Sequence, residues 1–264
     1  MKTREENVKN ALLAGVSVSL LILAAAVYSN KNGAEAGFDI AALNEADQTA
    51  LRSEIRAYLL DNPEVIFEAV EIAEAREAEA RTQQDETLVS VNAEDIFNDG
   101  YSWVGGNPEG DITLVEFVDY RCGYCRRAHD DVSELIKADG NIRLIMKEFP
   151  ILGQDSTLSS QFAIAVKQLA GDDAYKSAHD ALISMRGGVT EVSLSRLATT
   201  LGLDPTQVLG HMGSAEVQQE IATTRALAQR LQITGTPTFV LEDELLRGYA
   251  PLAVMQQLVA QKRG

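Results

Sequence analysis

The sequence predicts an α/β fold in which a central sheet carries a long helical insertion and follows a helical N-terminal segment. Two apolar runs rich in β-branched residues, at 112–118 and 142–149, flank an amphipathic helix, and this βαβ pattern is typical of two parallel strands. A helical pattern then extends over about 155–232, which is too long for a single crossover between strands. Strand signals return at 238–246, where a turn between two short runs indicates an antiparallel hairpin.

The N-terminal residues indicate export from the cytoplasm. Lys2, Arg4 and Lys9 precede an uncharged, mostly apolar run at residues 11–28. At about 1.5 Å per residue, this run is just long enough to cross a bilayer core of about 30 Å. We predict that residues 1–36 are a signal peptide or an uncleaved membrane anchor, and the sequence leaves both open. Either places the rest of the chain in the periplasm, tethered to the inner membrane if the anchor is retained.

The acidic charge is concentrated in one segment of the chain. The formal net charge is −16, and residues 34–100 contain 17 acidic and 4 basic side chains. A partner with a phosphate backbone requires a basic surface, so this composition argues against nucleic acid as a partner. The change in composition near residue 100 indicates a boundary between an N-terminal segment and a larger domain.

Two amphipathic helices are predicted within residues 38–84. The first covers residues 44–60, and the second begins at Pro63, directly after Asn62 as a favourable N-cap. Two short amphipathic helices cannot bury their apolar faces on each other alone, so they require another surface. We predict that this segment associates with copies of itself, and packing against the same chain is the alternative.

The rest of the chain is predicted to be one domain. Residues 85–105 are predicted to be a linker, because turn-forming residues follow Trp103 before the first strand. The domain then occupies residues 106–264 and ends in a helix at 251–261. Within its insertion, candidate helices are separated mainly by glycines and lie at residues 157–170, 173–186, 191–202, 205–211 and 214–231.

Cys122 and Cys125 are the only two cysteines, and they lie where the first predicted strand gives way to a helix. A C-x-x-C pair at such a junction is typical of a dithiol redox site. The free N–H groups and the positive dipole end of a helix stabilise a thiolate, so Cys122 is predicted to be the nucleophile. Cys125 follows one turn later on the same face and is predicted to be the resolving thiol.

A metal site is the alternative use of these thiolates. Cys122, Cys125 and His129 share one helical face, and such a set suits copper or zinc. A structural zinc site requires four ligands, however, and the sequence has no second C-x-x-C and no paired histidines. A purely structural disulfide is disfavoured, because it would constrain little of the unfolded chain. We predict dithiol chemistry that needs no diffusible cofactor.

The sequence VEFVDYRCGYC at residues 115–125, together with GTPTF at 235–239, resembles the DsbA-like branch of the thioredoxin superfamily. The resemblance extends from about Gly106 to the C-terminus and includes the helical insertion. It implies a thioredoxin fold in which Pro237 is in cis and faces the dithiol. The backbone of Thr236 is then free to pair with an unfolded substrate as an added strand. Without the resemblance, Pro237 is interpreted as an ordinary turn proline.

The same resemblance implies a buried acid at Glu116, six residues before Cys122. This acid would accept or relay the proton of Cys125 during exchange. Lys147, on the adjacent strand, is predicted to keep the acid ionised. The alternative, in which Glu116 and Lys147 occupy surface positions of their strands, stays open at this point.

The sequence RAYLLDNPEVIFEA at residues 56–69 resembles the N-terminal segment of the suppressor-of-copper-sensitivity protein C group. The resemblance implies a homo-oligomer formed through this segment, and trimers occur in the group. It also connects the chain to copper stress. Several catalytic domains on one stalk favour isomerisation of disulfides over simple oxidation.

We therefore predict a periplasmic protein-disulfide oxidoreductase or isomerase that uses its Cys-Gly-Tyr-Cys dithiol. The predicted partners are cysteine-containing exported proteins, a membrane redox partner and further copies of the chain. A quinone-linked oxidase as redox partner would make the protein an oxidant, whereas a membrane thiol reductant would make it an isomerase or reductase. The alternative function is a copper-binding or copper-protective periplasmic module that uses the same thiolates.

Overall fold

The computed structural model describes residues 44–264. The signal peptide or anchor predicted at residues 1–36, including the apolar run at 11–28, therefore lies outside the described residues. The chain divides into two compact units, with the boundary between Ile72 and Ala73. No helix between residues 44 and 264 combines the length and the apolar character that crossing a membrane requires.

The N-terminal unit contains helix α1, Glu45–Asp61, and the first part of helix α2, Glu64–Val91. Asn44 is the N-cap of α1, because its side-chain oxygen accepts a hydrogen bond from the backbone N–H of Asp47. Helix α2 begins at Glu64, one residue after the predicted start at Pro63, and Asn62 is the C-cap of α1 rather than the predicted N-cap of α2. No residue of α1 is buried by the described part of the chain.

The segment 85–105 differs from the predicted linker. Helix α2 continues into it, helix α3 follows at Ala93–Phe97, and strand β1 occupies Trp103–Gly106. Val89 and Ile96 are buried in the hydrophobic cluster on one face of the sheet. Most of α2 before Val89 is exposed. Buried apolar residues are therefore too widely spaced in this part of the sequence to predict that segment 85–105 packs against the sheet.

Five strands form one mixed sheet in the order β1–β3–β2–β4–β5. Strands β2 and β3 are parallel, and the other neighbouring pairs are antiparallel. The predicted parallel pair and hairpin are confirmed, whereas β1 is not predicted because its two glycines have a low strand propensity. The strands after β1 are Ile112–Val118 (β2), Ile142–Glu148 (β3), Thr238–Leu241 (β4) and Glu244–Arg247 (β5).

The helices of the larger unit agree with the predicted ones to within about one turn. Helix α4, Gly123–Asp139, connects β2 to β3 and ends at Gly140, whose φ of 74° favours glycine. Helix α10, Leu252–Arg263, closes the chain. The helices of the insertion are α5 (Gln154–Ala170), α6 (Asp172–Ser184), α7 (Glu191–Thr200), α8 (Pro205–His211) and α9 (Ala215–Arg230).

Strand β2 separates two hydrophobic clusters, because its successive side chains point to opposite faces of the sheet. Leu114 and Val118 pack in the cluster that includes side chains of α4 and α10. Val115 and Phe117 pack in the cluster that includes side chains of α3 and α9. This alternation decides which β2 side chains face the helix that begins at the dithiol.

Lys147 is a charged residue buried on the same face of the sheet as Val115 and Phe117. Its side chain is fully buried, and its ammonium group forms an ion pair with Asp99 and donates to the Asp95 carbonyl at 2.8 Å. Burial pushes the pKa of Asp99 upward, but the Lys147 ammonium outweighs it and holds that pKa below its usual value. Each charge of this pair therefore depends on the other.

Asp99→Ala should destabilise the protein by about 3–5 kcal/mol, because it leaves the buried Lys147 ammonium without its counter-charge. The free energy of unfolding from urea titration measures the effect. Glu77→Ala is the matched control, since it breaks the exposed Arg81–Glu77 ion pair and should change that energy by less than about 1 kcal/mol. Equal effects of the two substitutions would show that Lys147 is not held by Asp99.

Candidate active site

The turn between β2 and α4 is held by one buried carboxylate. The Asp119 side chain is fully buried and accepts hydrogen bonds from the backbone N–H groups of Arg121, at 2.8 Å, and of Ile151 and Leu152, at 2.8 and 3.0 Å. Asp119 thus ties the turn before the dithiol to the loop after β3. Cys122 is the N-cap of α4, one residue before the helix begins rather than in its first turn.

Both cysteines are free thiols, and their environments differ sharply. The Cys122 thiol donates to the Thr236 carbonyl, with Sγ and O 3.1 Å apart. A hydrogen bond from the Cys125 thiol is the largest cause that lowers the pKa of Cys122 to about 5. Burial raises this pKa, while a side-chain hydrogen bond of Thr236 and the backbone N–H groups of Cys125 and Tyr124 lower it. Cys122 is therefore a thiolate at neutral pH.

Cys125 is fully buried, and the pKa of its thiol is raised. The main cause is its hydrogen bond to Cys122, followed by burial and by the charge of Glu116. Cys122 keeps 7% of its surface exposed. Cys122 is therefore the more accessible of the two sulfurs, and Cys125 holds its proton more tightly.

Glu116 lies on the α4 side of strand β2 and is 3% exposed. Burial is the largest cause that raises its pKa to about 8, followed by the negative charges of Cys122 and Glu148. The surface alternative for Glu116 is therefore wrong, because the side chain is buried. The carboxyl group is mostly neutral at pH 7 and can gain or lose a proton near physiological pH.

Lys147 does not keep Glu116 ionised, in contrast to the sequence prediction. In the β2–β3 register, Lys147 lies opposite Phe117, whereas Glu116 lies opposite Met146. Successive strand residues point to opposite faces of the sheet, so Lys147 faces away from Glu116 and pairs with Asp99 instead. Both residues are buried, and the sequence alone does not show that the two side chains lie on opposite faces.

Thr236 and Pro237 lie directly before strand β4, and the peptide bond between them is cis, as the resemblance implies. Strand β4 pairs with β2 so that Thr238 lies opposite Phe117. This pairing brings Thr236 to the end of β2, where the chain enters the dithiol turn. The structure thus brings together Cys122, Cys125, Thr236, Pro237 and Glu116.

Tyr120, two residues before Cys122, belongs to a buried polar network that the sequence did not reveal. The Tyr120 and Tyr175 hydroxyls both donate to Glu148 Oε1 at 2.6 Å, and the Tyr120 oxygen lies 3.0 Å from His179 Nδ1. Burial raises the pKa of Glu148 to about 7, and the two hydroxyls act against this rise. The members are far apart in sequence, so no local motif marks them.

The alternative metal set of Cys122, Cys125 and His129 is not formed. Within residues 44–264, the compact group of possible metal ligands consists of His129, His179 and Asp180 and contains neither cysteine. His129 lies 3.4 Å from Asp180 instead. A side chain seven residues after Cys122 is two turns along α4, and the helix axis carries it away from the thiolate.

An aromatic surface borders the dithiol. Tyr124, between the cysteines, is 62% exposed and stacks on Tyr249 with ring centroids 6.3 Å apart. The Arg127 guanidinium lies 4.7 Å above the Tyr249 ring. Ile151 and Leu152, which Asp119 anchors, also expose apolar side chains. These groups can contact a polypeptide that approaches Cys122.

A reactive dithiol at the start of a helix, beside the backbone before a cis proline, defines a protein of the thioredoxin-like class. A family model described as a DSBA-like thioredoxin domain matches residues 113–260, more than half of the chain. The protein therefore belongs to the DsbA-like thioredoxin family, and the predicted thioredoxin fold is confirmed. A second model, the copper resistance protein ScsC N-terminal domain, matches residues 47–80.

Several solved structures are similar to this chain, and two of them are 28% or more identical to it. A thioredoxin-like oxidoreductase from Silicibacter pomeroyi DSS-3 is 43% identical with a TM-score of 0.60, covering 64% of this chain and 96% of that one. The thiol-disulfide exchange protein alpha-DsbA2 from Wolbachia pipientis is 28% identical with a TM-score of 0.64, covering 69% of this chain and 98% of that one.

Among curated proteins, the Na(+)/H(+) antiporter NhaA 1 of Salinispora arenicola (strain CNS-205) is 30% identical over 146 residues. The match covers 55% of this chain. The chain spans 22% of the length of that relative.

Glu116→Gln should stabilise the reduced protein increasingly as the pH rises from about 5 to above 8. The wild-type carboxyl has a folded-state pKa of about 8, raised from 4.5. Its contribution to stability is therefore complete below pH 4.5 and is lost as the pH rises through 8. Each pKa unit corresponds to about 1.4 kcal/mol, so the gain above pH 8 should reach a few kcal/mol.

The free energy of unfolding, measured across this pH range for both proteins, tests the prediction. Glu109→Gln, at an exposed position, is the matched control and should leave the pH profile unchanged. The gain should be smaller for the oxidised protein, because its Cys122 carries no charge. A constant difference between Glu116→Gln and wild type at all pH values would contradict the proposed burial of an acid with a raised pKa.

Proposed function

We propose that this protein is a periplasmic thiol–disulfide oxidoreductase that forms or isomerises disulfides in cysteine-containing exported proteins. The observation that carries the proposal is the Cys122 sulfur, which lies 3.1 Å from the Thr236 carbonyl oxygen and has a pKa lowered to about 5, while its partner Cys125 is fully buried. This asymmetry separates an attacking sulfur from a resolving sulfur. The basic and apolar N-terminal sequence supports a periplasmic location, with residues 11–28 as a tether if they are retained.

In the reducing direction, the Cys122 thiolate attacks one sulfur of a substrate disulfide. A bond forms between Cys122 and that sulfur, and the other substrate sulfur leaves as a thiolate. The Cys122 sulfur no longer carries a proton or a charge in this mixed disulfide. The Thr236 carbonyl oxygen, 3.1 Å from the Cys122 sulfur, then has no Cys122 proton to accept and is available to a backbone N–H of the bound substrate.

Cys125 completes the exchange. Cys122 carries no negative charge in the mixed disulfide, so Glu116 ionises more readily there and its carboxylate accepts the Cys125 proton. The Cys125 sulfur then attacks Cys122 and releases the second substrate thiolate. The fully buried Glu116 suits this role, because its pKa of about 8 lets it accept and return a proton near neutral pH. Oxidation of a substrate dithiol is the same sequence in reverse, with the Cys122–Cys125 disulfide as the electron acceptor.

The low pKa of Cys122 supports an oxidising dithiol. A stabilised thiolate favours the reduced enzyme, so the disulfide form takes electrons readily from a substrate. A membrane redox partner must then reset the pair. A quinone-linked oxidase would restore the disulfide for further oxidation, and a thiol reductant would restore the dithiol for isomerisation or reduction. The reduction potential of the pair decides between them.

The N-terminal unit supports association of several copies. Within this unit α1 has no buried residue, and large apolar side chains of α1 and α2 are exposed. These side chains are Ile55, Tyr58, Leu60, Ile66, Phe67, Val70 and Ile72. We propose that this apolar surface joins copies of the chain, with a trimer as the expected form, and that the resulting array of dithiols favours isomerisation. The match of residues 47–80 to the ScsC N-terminal domain supports this arrangement.

The catalytic proposal predicts different results when serine replaces each of the two cysteines. Cys122→Ser should abolish both insulin reduction and reactivation of scrambled ribonuclease, because the attacking thiolate is lost. Cys125→Ser should leave the attack intact but remove the resolving thiol, so covalent adducts with a disulfide substrate should accumulate. Non-reducing electrophoresis and thiol titration measure these adducts. Wild-type protein without activity in either assay, or equal adduct formation by both variants, would refute the proposal.

The oligomer proposal predicts that an acidic side chain in the apolar surface separates the copies. Phe67→Glu should lower the mass in solution, measured by light scattering, because Phe67 is 69% exposed in a single chain and a charge there is costly to bury. Val192→Glu, at a 60% exposed apolar position of α7, is the matched control and should leave the mass unchanged. A wild-type protein with the mass of one chain would end the proposal.

A further inference from the structure

Two of the three histidines in this chain meet an aspartate between the dithiol helix and the insertion. His129 belongs to α4, whereas His179 and Asp180 belong to α6. One ring nitrogen of each histidine and one Asp180 oxygen lie within 4.8 Å of one another. The mechanism above uses none of these three side chains.

The spacing of these groups fits direct ligation of a small cation. His129 Nε2 and Asp180 Oδ1 are 3.4 Å apart. Ligands that bind a tetrahedral zinc ion at about 2.0–2.1 Å stand about 3.3 Å from each other. The two imidazole centroids lie 5.3 Å apart, so the rings are close enough to share a small ion. A small adjustment of the side chains would therefore complete a three-ligand set.

The hydrogen bonds of His179 prepare one of its nitrogens for a metal. The single hydroxyl proton of Tyr120 is donated to Glu148 Oε1 at 2.6 Å. The Tyr120 oxygen must then accept from His179 Nδ1 at 3.0 Å, so Nδ1 carries the imidazole proton. Nε2 is left with a free lone pair. A buried histidine whose other N–H is held by a fixed acceptor is the arrangement that metal-binding histidines adopt.

We propose that His129, His179 and Asp180 bind one divalent transition-metal ion of the zinc and copper group. Imidazole and carboxylate ligands suit these ions, and three protein ligands leave a position for water. The bound ion would connect α4 to α6, and therefore the helix of Cys122 to the insertion. The thiolates take no part in this site.

Lys176 opposes metal binding in the structure as it stands. Its ammonium group donates to both carboxylate oxygens of Asp180, at 2.7 Å to Oδ1. The Lys176 side chain is 43% exposed, so it can move into solvent when a cation arrives. Removal of the Lys176 charge should therefore raise the affinity of the site for the metal ion. A substitution that merely disturbed folding would lower that affinity instead.

Calorimetric titration of Zn²⁺ into the oxidised full-length protein tests the proposal, since the Cys122–Cys125 disulfide offers no thiolate ligand. We expect one ion per chain and a rise in the thermal unfolding midpoint with Zn²⁺ concentration. His129→Gln and Asp180→Asn should each weaken binding by about tenfold or more. Lys176→Met should tighten binding several-fold, because it removes the competing charge.

His211→Gln is the matched control, because the third histidine lies in α8 and bonds to Gln168 Oε1 at 2.8 Å. It should bind Zn²⁺ as the wild type does. Absence of Zn²⁺ binding by both the oxidised wild type and Lys176→Met would overturn the proposal. Binding that is unchanged in His129→Gln and Asp180→Asn, or weakened equally in His211→Gln, would also overturn it.

Discussion

The hydrogen bond between the Cys125 thiol and the Cys122 sulfur is the interaction on which the rest of the site depends. It is the largest cause that lowers the pKa of Cys122 and also the largest that raises the pKa of Cys125. One bond thus accounts for the opposite pKa shifts of the two thiols, which the proposed mechanism uses as the attacking and the resolving sulfur. Its geometry requires Cys122 at the N-cap of α4 and Cys125 in the first turn, and the buried Asp119 carboxylate holds the turn that places them.

Glu116 and Glu148 are buried acids whose pKa values are raised, because burial disfavours their charged forms. At Glu116, burial raises the pKa most, and the negative charges of Cys122 and Glu148 raise it further. In the proposed mechanism, Glu116 is the proton acceptor for Cys125, which is fully buried. Glu148 is stabilised by two tyrosine hydroxyls instead. The same network orients His179, so the proposed metal site and the dithiol share a structural support at Tyr120.

Much of the site was predictable because its signals are local. Cys122 and Cys125 are two residues apart, and Thr236 precedes Pro237 in a short motif, so neighbouring residues carry the pattern. The burial of Glu116 followed from the resemblance. Lys147 was assigned to the wrong partner, because two buried charges on neighbouring strands look alike in sequence. The β2–β3 register, with Lys147 opposite Phe117, separates them. The pairing register of two strands is set by the burial of their whole apolar faces, and not by any single pair of opposite residues.

The sequence by itself determined the βαβ core, the helical insertion and the dithiol, since hydrophobic periodicity and turn residues act over a few positions. Tertiary structure alone decided the rest. It placed β1 at the sheet edge and packed Val89 and Ile96 where a linker was expected. It also assembled Tyr120, Glu148 and His179 from three separate elements. These groups interact through space after the chain has folded, and no short-range pattern records which distant side chains will meet.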